Sequence, residues 1–377
     1  MLLILRPPPP FGGGEVIAGQ LERLFAGRYE VLAFRRSGHS KSRQGRLSAG
    51  NLGFGLRYIV VSSARLLRSR PHAAYVDVPK DRVSFLRTSV VLLVALALRV
   101  RVVGDLAGAD FPFLDRSPLG RYARGVLRRL YGIRVLGDSV AATLRDRGLT
   151  NTIVVSNGIE EPPGELGERA YDPAAASFLY VGKVAESKGV LTLVEAMALA
   201  AADEPGWRLD LVGEWESEAT ERRVRAAVSA AGLEGRIAFH GLLVGDEKWA
   251  AYRRAQLLLH PTRWDGQPVT MLEALAVGLP VVATRVGAIP DTIRHGVDGY
   301  LMQADSAAEL LEGIRHVLRD AETYAAFCAA ARASYVERFS GAAFEAGMAA
   351  LLEEAAGMRA PSPRARHDVS SLHAGPS

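Results

Sequence analysis

A single cysteine, Cys328, among 377 residues excludes an internal disulfide framework and any cysteine-built zinc site. Long apolar runs are missing too. The uncharged stretch Thr88–Leu98, bounded by Arg87 and Arg99, falls well short of the ~20 residues a membrane span needs. The opening "MLLILR" is too short for a signal peptide and reads as a first strand. Neither an Asp-x-Asp pair nor a G-x-x-x-x-G-K-[ST] loop occurs, so two common ways of holding a nucleotide phosphate, a metal clamp and a Walker cradle, are absent. Acid is missing altogether from Val31 to Val76, a span with nine basic residues that include Arg35, Arg36, Lys41, Arg43 and Arg46.

What remains is an ordinary globular composition, 49% hydrophobic and 23% charged, with ample core for the two domains that this length implies. The net charge of +5 is unevenly spread. Residues 1–170 carry 26 Lys and Arg against 14 Asp and Glu, and the rest carry 20 against 27. The first half therefore faces something anionic. A nucleic-acid partner is disfavoured, because no recognition module is visible and the second half is acidic.

Short apolar runs alternate with helical periodicity. Strands are expected at 2–6, 30–34, 73–78, 101–106, 133–136 and 152–156, with helices near 14–25, 55–69, 82–98, 119–130 and 139–147. "EEPPGELGER", 160–169, reads as a linker. The alternation restarts with strands near 177–181, 208–212, 236–240, 256–260, 280–284 and 299–302. Repeated strand–helix units imply an α/β protein with parallel sheets covered on both faces. Two such sheets place a cleft between them, lined by strand C-terminal ends and helix N-termini. The expected domains are 1–159 and 170–340, joined by 160–169. A helix at 341–358 is expected to pack back toward the first domain, and 359–377 reads as a disordered tail.

Three loop–helix junctions have the makings of an anion cradle. In "PPPPFGGGEVIAGQ", Gly12, Gly13 and Gly14 remove side chains where backbone must approach a ligand. In "YVGKVAESKGV", Gly182 frees a turn while Lys183 and Lys188 place two ammonium groups on one loop. In "WDGQPVTMLEALAVGLPVVAT", Gly266, Gln267 and Pro268 make a turn, and Pro268 suits the first helical position. Val269–Val277 reads as a short helix that Gly278 stops in the left-handed cap position. Asp265 then precedes the helix and Glu273 lies about one turn inside it. Lysines and backbone amides can neutralise a diphosphate without a metal.

These stretches, with "VVSNGIEEP", "VGAIPD" and "GVDGYL", resemble glycosyltransferase family 4 (group 1), whose members have two facing Rossmann-like domains (GT-B architecture). The resemblance spans nearly the whole chain before the tail and is strongest from 177 to 303. It implies that Lys183 and Lys188 bind the diphosphate of a UDP- or GDP-sugar, with Gly182 beside them and Gly13 and Gly14 approaching from the other domain. It further implies that Glu273 holds the ribose, with Val269 and Thr270 on the same nucleotide side, and that Asp265 lies near the donor sugar. The implied reaction is metal-independent hexosyl transfer with retention, to a saccharide or lipid-linked saccharide, in cell-envelope or exopolysaccharide synthesis.

Two departures stand out. Asp265 replaces the usual glutamate, one methylene longer. Ala107, with Asp105 and Asp110 nearby, sits where many members carry a sugar-orienting histidine, and His39 and His72 are the only histidines in the first half. Ala107 favours a rival reading, a non-catalytic partner subunit of the same fold; a nucleotide-sugar epimerase is another. The arginine-rich segment 116–134 places Leu119, Tyr122, Val126, Leu127 and Leu130 on one stripe, with Arg121, Arg124, Arg128 and Arg129 off it. It reads either as a helix docking on an anionic membrane at the cytoplasmic face or as one buried on its own sheet.

Overall fold

The computed structural model describes residues 1–8, 13–35, 49–108, 111–167 and 169–358. In chain order the first half contains β1 (Leu2–Leu5), α1 (Gly13–Phe25), β2 (Glu30–Ala33), α2 (Ala49–Ser69), β3 (Ala73–Asp77), α3 (Arg82–Ala97), β4 (Arg101–Asp105), α4 (Pro118–Leu127), β5 (Gly132–Val135), α5 (Asp138–Asp146) and β6 (Thr152–Val154). Next come β7 (Ser177–Val181), α6 (Val190–Leu199), β8 (Arg208–Val212), α7 (Glu218–Ala230), β9 (Ile237–Gly241), α8 (Gly245–Arg254) and β10 (Leu257–His260). The chain continues through α9 (Val269–Ala276), β11 (Val281–Thr284), α10 (Ile289–Thr292), β12 (Gly299–Met302), α11 (Ala307–Val317), α12 (Ala321–Ser334) and α13 (Gly341–Ala356).

Every strand pairing is parallel. The first sheet runs β2-β1-β3-β4-β5-β6 and the second β12-β11-β10-β7-β8-β9. Helices cover both faces, so strands such as β1, β10 and β11 are buried along their whole length. That is why they are unbroken apolar runs rather than alternating ones. Strand order reverses between β1 and β3 in one sheet and between β7 and β10 in the other. Such switch points open a crevice at the strands' carboxyl ends. The α/β architecture of two Rossmann-like domains is the expected one.

Local signals start the helices where they begin. Asp81 accepts from the Ser84 N–H ahead of α3, and Ser117 accepts from the Gly120 N–H ahead of α4, where Pro118 fills the first helical position. Ser217, Ser306, Asp320 and Ser340 cap α7, α11, α12 and α13 in the same way.

One helix differs from the amphipathic docking helix considered above. Ala123, Val126, Leu127 and Leu130 sink into the first domain's core, so the apolar side of α4 is spoken for. Arg124 Nη1 donates to the Leu114 and Asp115 carbonyls at 3.0 and 2.6 Å, and Arg128 Nε to that of Gly148 at 2.7 Å. Most of the stripe is a core face, with Tyr122 left exposed, and two of the arginines fasten loops.

The chain passes between the domains twice. The first passage follows β6 through 157–169. The second is a π-helical turn, Tyr335–Phe339, leading into α13. Phe344, Met348, Leu351 and Leu352 of α13 pack on Leu3, Leu5, Tyr75 and Val103 of the first sheet. Burial stabilises by roughly 1.5–3 kcal/mol for each large apolar side chain.

Candidate active site in the interdomain cleft

Loops from both switch points meet in the cleft. Gly182 and Lys183 follow β7, and His260 ends β10 with Asp265 just beyond, so both loops leave the reversal point of the second sheet. A short 3-10 turn, Glu186–Lys188, then points Lys188 at the neighbouring loop. Its Nζ lies 2.6 Å from Asp265 Oδ2 and 2.9 Å from the Trp264 carbonyl. Gly189 closes this turn with φ +74, and a Cβ there would lie 1.9 Å from the Pro261 carbonyl oxygen. Any side chain at 189 would push the two loops apart.

Burial alone would raise the Asp265 carboxyl. The adjacent His260 ring and the Lys188 ammonium outweigh it and hold the group well below the usual carboxylate range. His260 Nε2 stands 3.6 Å from Asp265 Oδ2. Both ring nitrogens of this buried histidine lack a hydrogen-bond partner among the described residues. Lys183 takes another direction, with Nζ exposed and 3.8 Å from Glu216 Oε1.

On α9, Glu273 is buried and both its oxygens are engaged. Lys248 Nζ lies 2.7 Å from Oε1, and the Tyr252 hydroxyl donates to Oε2 at 2.8 Å. Burial, and then the Glu273 charge, push the Tyr252 phenol well above its ordinary value. Pro268 is the N-cap of α9 rather than its first residue: its ψ of 124 is extended, and helical geometry starts at Val269. Gly278 has φ +66, the left-handed stop expected from the sequence.

The first domain supplies the opposite wall. A Cβ on Gly13 would lie 3.5 Å from Val269 Cγ2, so the start of α1 faces the start of α9; Gly14 looks onto open space. A Cβ on Gly266 would lie 3.3 Å from Gly108 Cα, which brings the loop of Ala107 against the turn that follows Asp265. Lys80 runs along Gly108 from the end of β3. Asp105 is not available to stand in for a histidine at 107. It is buried, accepting from the Tyr75 hydroxyl at 2.6 Å and from Arg134 Nη1 at 3.1 and 3.2 Å. Asp110, Gly12 and His39 lie outside the described residues.

Sequence reasoning passed over Lys80, Lys248, Tyr252, His260, Asn157 and Gln267. Asn157 N–H donates to Gln267 Oε1 at 2.7 Å across the domain junction, and Gln267 Nε2 donates to Thr292 Oγ1 at 3.0 Å. Only the "SNG" and "DGQP" turns hinted at this pair. The other residues carry no local signal.

Facing switch points, a glycine opening on one side and a Lys–Asp pair with a helix start on the other make a crevice for a phosphate-bearing ligand. Comparison with known proteins agrees with that class. Residues 175–320 match the family described as "Glycosyl transferases group 1". The lipopolysaccharide core biosynthesis mannosyltransferase LpsB of Rhizobium meliloti is 29% identical over 262 residues, 65% of this chain and 71% of that protein. The D-inositol 3-phosphate glycosyltransferase of Pseudarthrobacter chlorophenolicus is 30% identical over 158 residues, 41% of this chain and 37% of the relative. Anabaena Alr3699/HepE, solved in complex with UDP, shares the fold with a TM-score of 0.73 at 17% identity, covering 94% of this chain and 99% of the other.

Proposed function

We propose that the chain is a retaining glycosyltransferase of family 4 type, moving a hexosyl group from a UDP- or GDP-sugar to a saccharide or lipid-linked saccharide. The reading rests above all on the Lys188–Asp265 pair, set at the β7/β10 switch point beside Gly266, the residue that meets Gly108 of the first domain. The lipopolysaccharide role of one relative and the UDP bound in a structural neighbour support it. The expected setting is the cytoplasmic face of an envelope membrane; among the described residues no helix is long and apolar enough to cross one.

Breaking the sugar–phosphate bond develops positive charge at the anomeric carbon and negative charge on the departing diphosphate. Cations already aimed at that oxygen supply a large part of catalysis. Lys188 takes this role, helped by backbone at Gly182 and Gly13, and Lys183 joins it by turning away from Glu216 when the donor binds. Asp265, kept ionised, faces the growing positive charge. Attack from the face the nucleotide leaves lets the departing phosphate oxygen take the acceptor's proton, so no protein nucleophile is needed. Charge neutralised in this way requires no metal.

Purified protein should release UDP or GDP slowly from the matching nucleotide sugar, undiminished in excess EDTA, and Lys188→Ala should abolish release. Activity lost on chelation and restored by Mg²⁺ or Mn²⁺ would remove the metal-free site. Tight nucleotide-sugar binding without any release, even with acceptors, would favour the non-catalytic subunit that Ala107 hints at.

A further inference from the structure

α3 is apolar on every side. Phe85, Val91, Leu92 and Ala95 fill the first core, yet Val83, Leu86, Val90 and Leu93 form a second stripe that is 40–52% exposed. A helix hydrophobic all round belongs in a core or against lipid. α2 repeats the pattern: Tyr58 and Leu66 face inward, while Leu52, Leu56, Val60 and Leu67 face out, Leu56 with 64% of its surface accessible. The two helices are neighbours, for the Arg87 guanidinium on α3 lies 5.4 and 5.2 Å from the Phe54 and Tyr58 rings on α2. Tyr122 of α4, also exposed, meets Ser89 of α3 at 2.9 Å. Among the described residues, ten of the twenty exposed large hydrophobics therefore sit on these adjacent helices. Monomeric proteins seldom gather apolar surface in this way without a partner.

Charge says which partner. α2, α3 and α4 carry three, two and two arginines and no Asp or Glu. A second copy of the chain would set arginines against arginines. A nucleic-acid backbone would satisfy the charge but leave the aliphatic stripes wet. Only a surface with phosphates outside and acyl chains beneath meets both demands. The outer stripe also begins at Val83, close behind Lys80, whose side chain packs on Gly108 in the cleft.

We propose that the outer face of α2 and α3, with α4 at its margin, docks the protein on an anionic lipid bilayer and brings the mouth of the cleft to the membrane. The aliphatic stripes enter the headgroup–acyl boundary and the exposed Arg57, Arg68 and Arg121 meet lipid phosphates, Arg65 and Arg82 being already paired with Glu30 and Asp115. The inference deepens the glycosyltransferase reading by naming where a lipid-linked acceptor arrives, but the docking itself requires no enzyme activity.

The test is co-sedimentation of the full chain with phosphatidylcholine vesicles, with and without phosphatidylglycerol, beside calorimetric titration with UDP and with GDP. The parent should bind the anionic vesicles and scarcely the neutral ones. The double variant Leu86→Asp/Val90→Asp should bind them at least tenfold more weakly, with unchanged UDP affinity and unchanged melting temperature. A second variant, Arg57→Gln/Arg68→Gln, should lose binding chiefly at low salt, so the proposal stays testable if the aspartates disturb folding. A parent that ignores anionic vesicles overturns it. So do variants that bind like the parent, or aspartates that split a solution dimer without touching vesicle binding. Vesicle binding by a protein that ignores both UDP and GDP leaves the docking face standing and removes the donor reading instead.

Discussion

Asp265 and Glu273 flank one helix start, yet their surroundings set them different tasks. Glu273 is held on both oxygens by Lys248 and Tyr252; on the proposed reading it is a fixed acceptor for the donor nucleotide, bound before and during reaction alike. Glu273→Gln should raise the donor KM and weaken binding of the free nucleotide diphosphate, with a smaller effect on kcat. Asp265 is already paired with Lys188; on the proposed reading the charge of the substrate itself reaches it only as the transition state forms. Asp265→Asn should lower kcat by ~10²-fold, a loss near 2.7 kcal/mol, with little change in nucleotide affinity. Asp265→Glu keeps a carboxylate and should retain substantial activity. Steady-state kinetics with nucleotide titrations separate the two; a shift in KM alone for both amide variants would refute the division.

The same residue leaves a mark on stability. Its native pKa is lowered, so the unfolded chain takes up this proton first as the solution is acidified. The stabilisation it contributes is present above the ordinary aspartate value of ~3.9 and is lost as pH falls from there toward the native value. Denaturant titrations from pH 6 downward should show the parent losing stability more steeply than Asp265→Asn below about pH 5.

At the scale of elements, Asp291 shows how a motif can be legible while its work is not. "VGAIPD" reads as part of a sugar-transfer signature, but Ala288 of this stretch is buried in the first domain's core. Asp291 Oδ2 accepts from the Ser139 N–H at 3.0 Å, capping α5 from the other domain. Asp291→Ala should cost about 1 kcal/mol, as the loss of an N-cap does, and should loosen the junction; thermal unfolding with hydrogen exchange at the start of α5 would measure both. All twelve strands lie where the apolar runs put them: a strand buried on both faces has nowhere to hide its pattern, and the half-exposed edge strands β2, β6 and β9 are apolar enough to show theirs. What connects distant residues has no such signature. Lys248 to Glu273 and Asn157 to Gln267 are pairings of chain-remote groups, settled by topology alone. The outer stripes of α2 and α3 were missed for another reason: Val83, Leu86, Val90 and Leu93 look in sequence like any core-facing set. Pro268 was placed one position late because proline's φ suits both N-cap and first turn, and only ψ tells them apart.

Across the whole molecule, one polar thread joins the two cores. Tyr75 and Asp105 engage buried Arg134, whose Nη2 donates to Asn157 Oδ1 at 2.8 Å, and Asn157 hands on to Gln267 and Thr292. Gln267→Ala would leave the buried Asn157 N–H without its partner, while the Thr292 hydroxyl keeps its bond to the Ala288 carbonyl, a loss of about 1–3 kcal/mol. Because Gln267 follows Asp265 by two residues, this variant should lower kcat/KM while nucleotide binding to the second domain holds, and small-angle scattering should show a wider spread of domain separations. Unchanged turnover and scattering would mean that apolar contacts alone set the cleft.

The return of α13 to the first domain has a consequence in time. Leu3, Leu5 and Tyr75 are among the early residues to leave the ribosome, but Phe344, Met348, Leu351 and Leu352, which cover them, are among the late ones. At about 5–20 residues per second, roughly 20–70 s pass before the cover arrives. Throughout that interval the newborn first domain shows an unfinished sheet face to the cytosol, and it needs either a chaperone or the partly built second domain as shelter. A fragment ending at Glu160 should therefore aggregate, while the same fragment joined by a short linker to residues 341–358 should stay in solution.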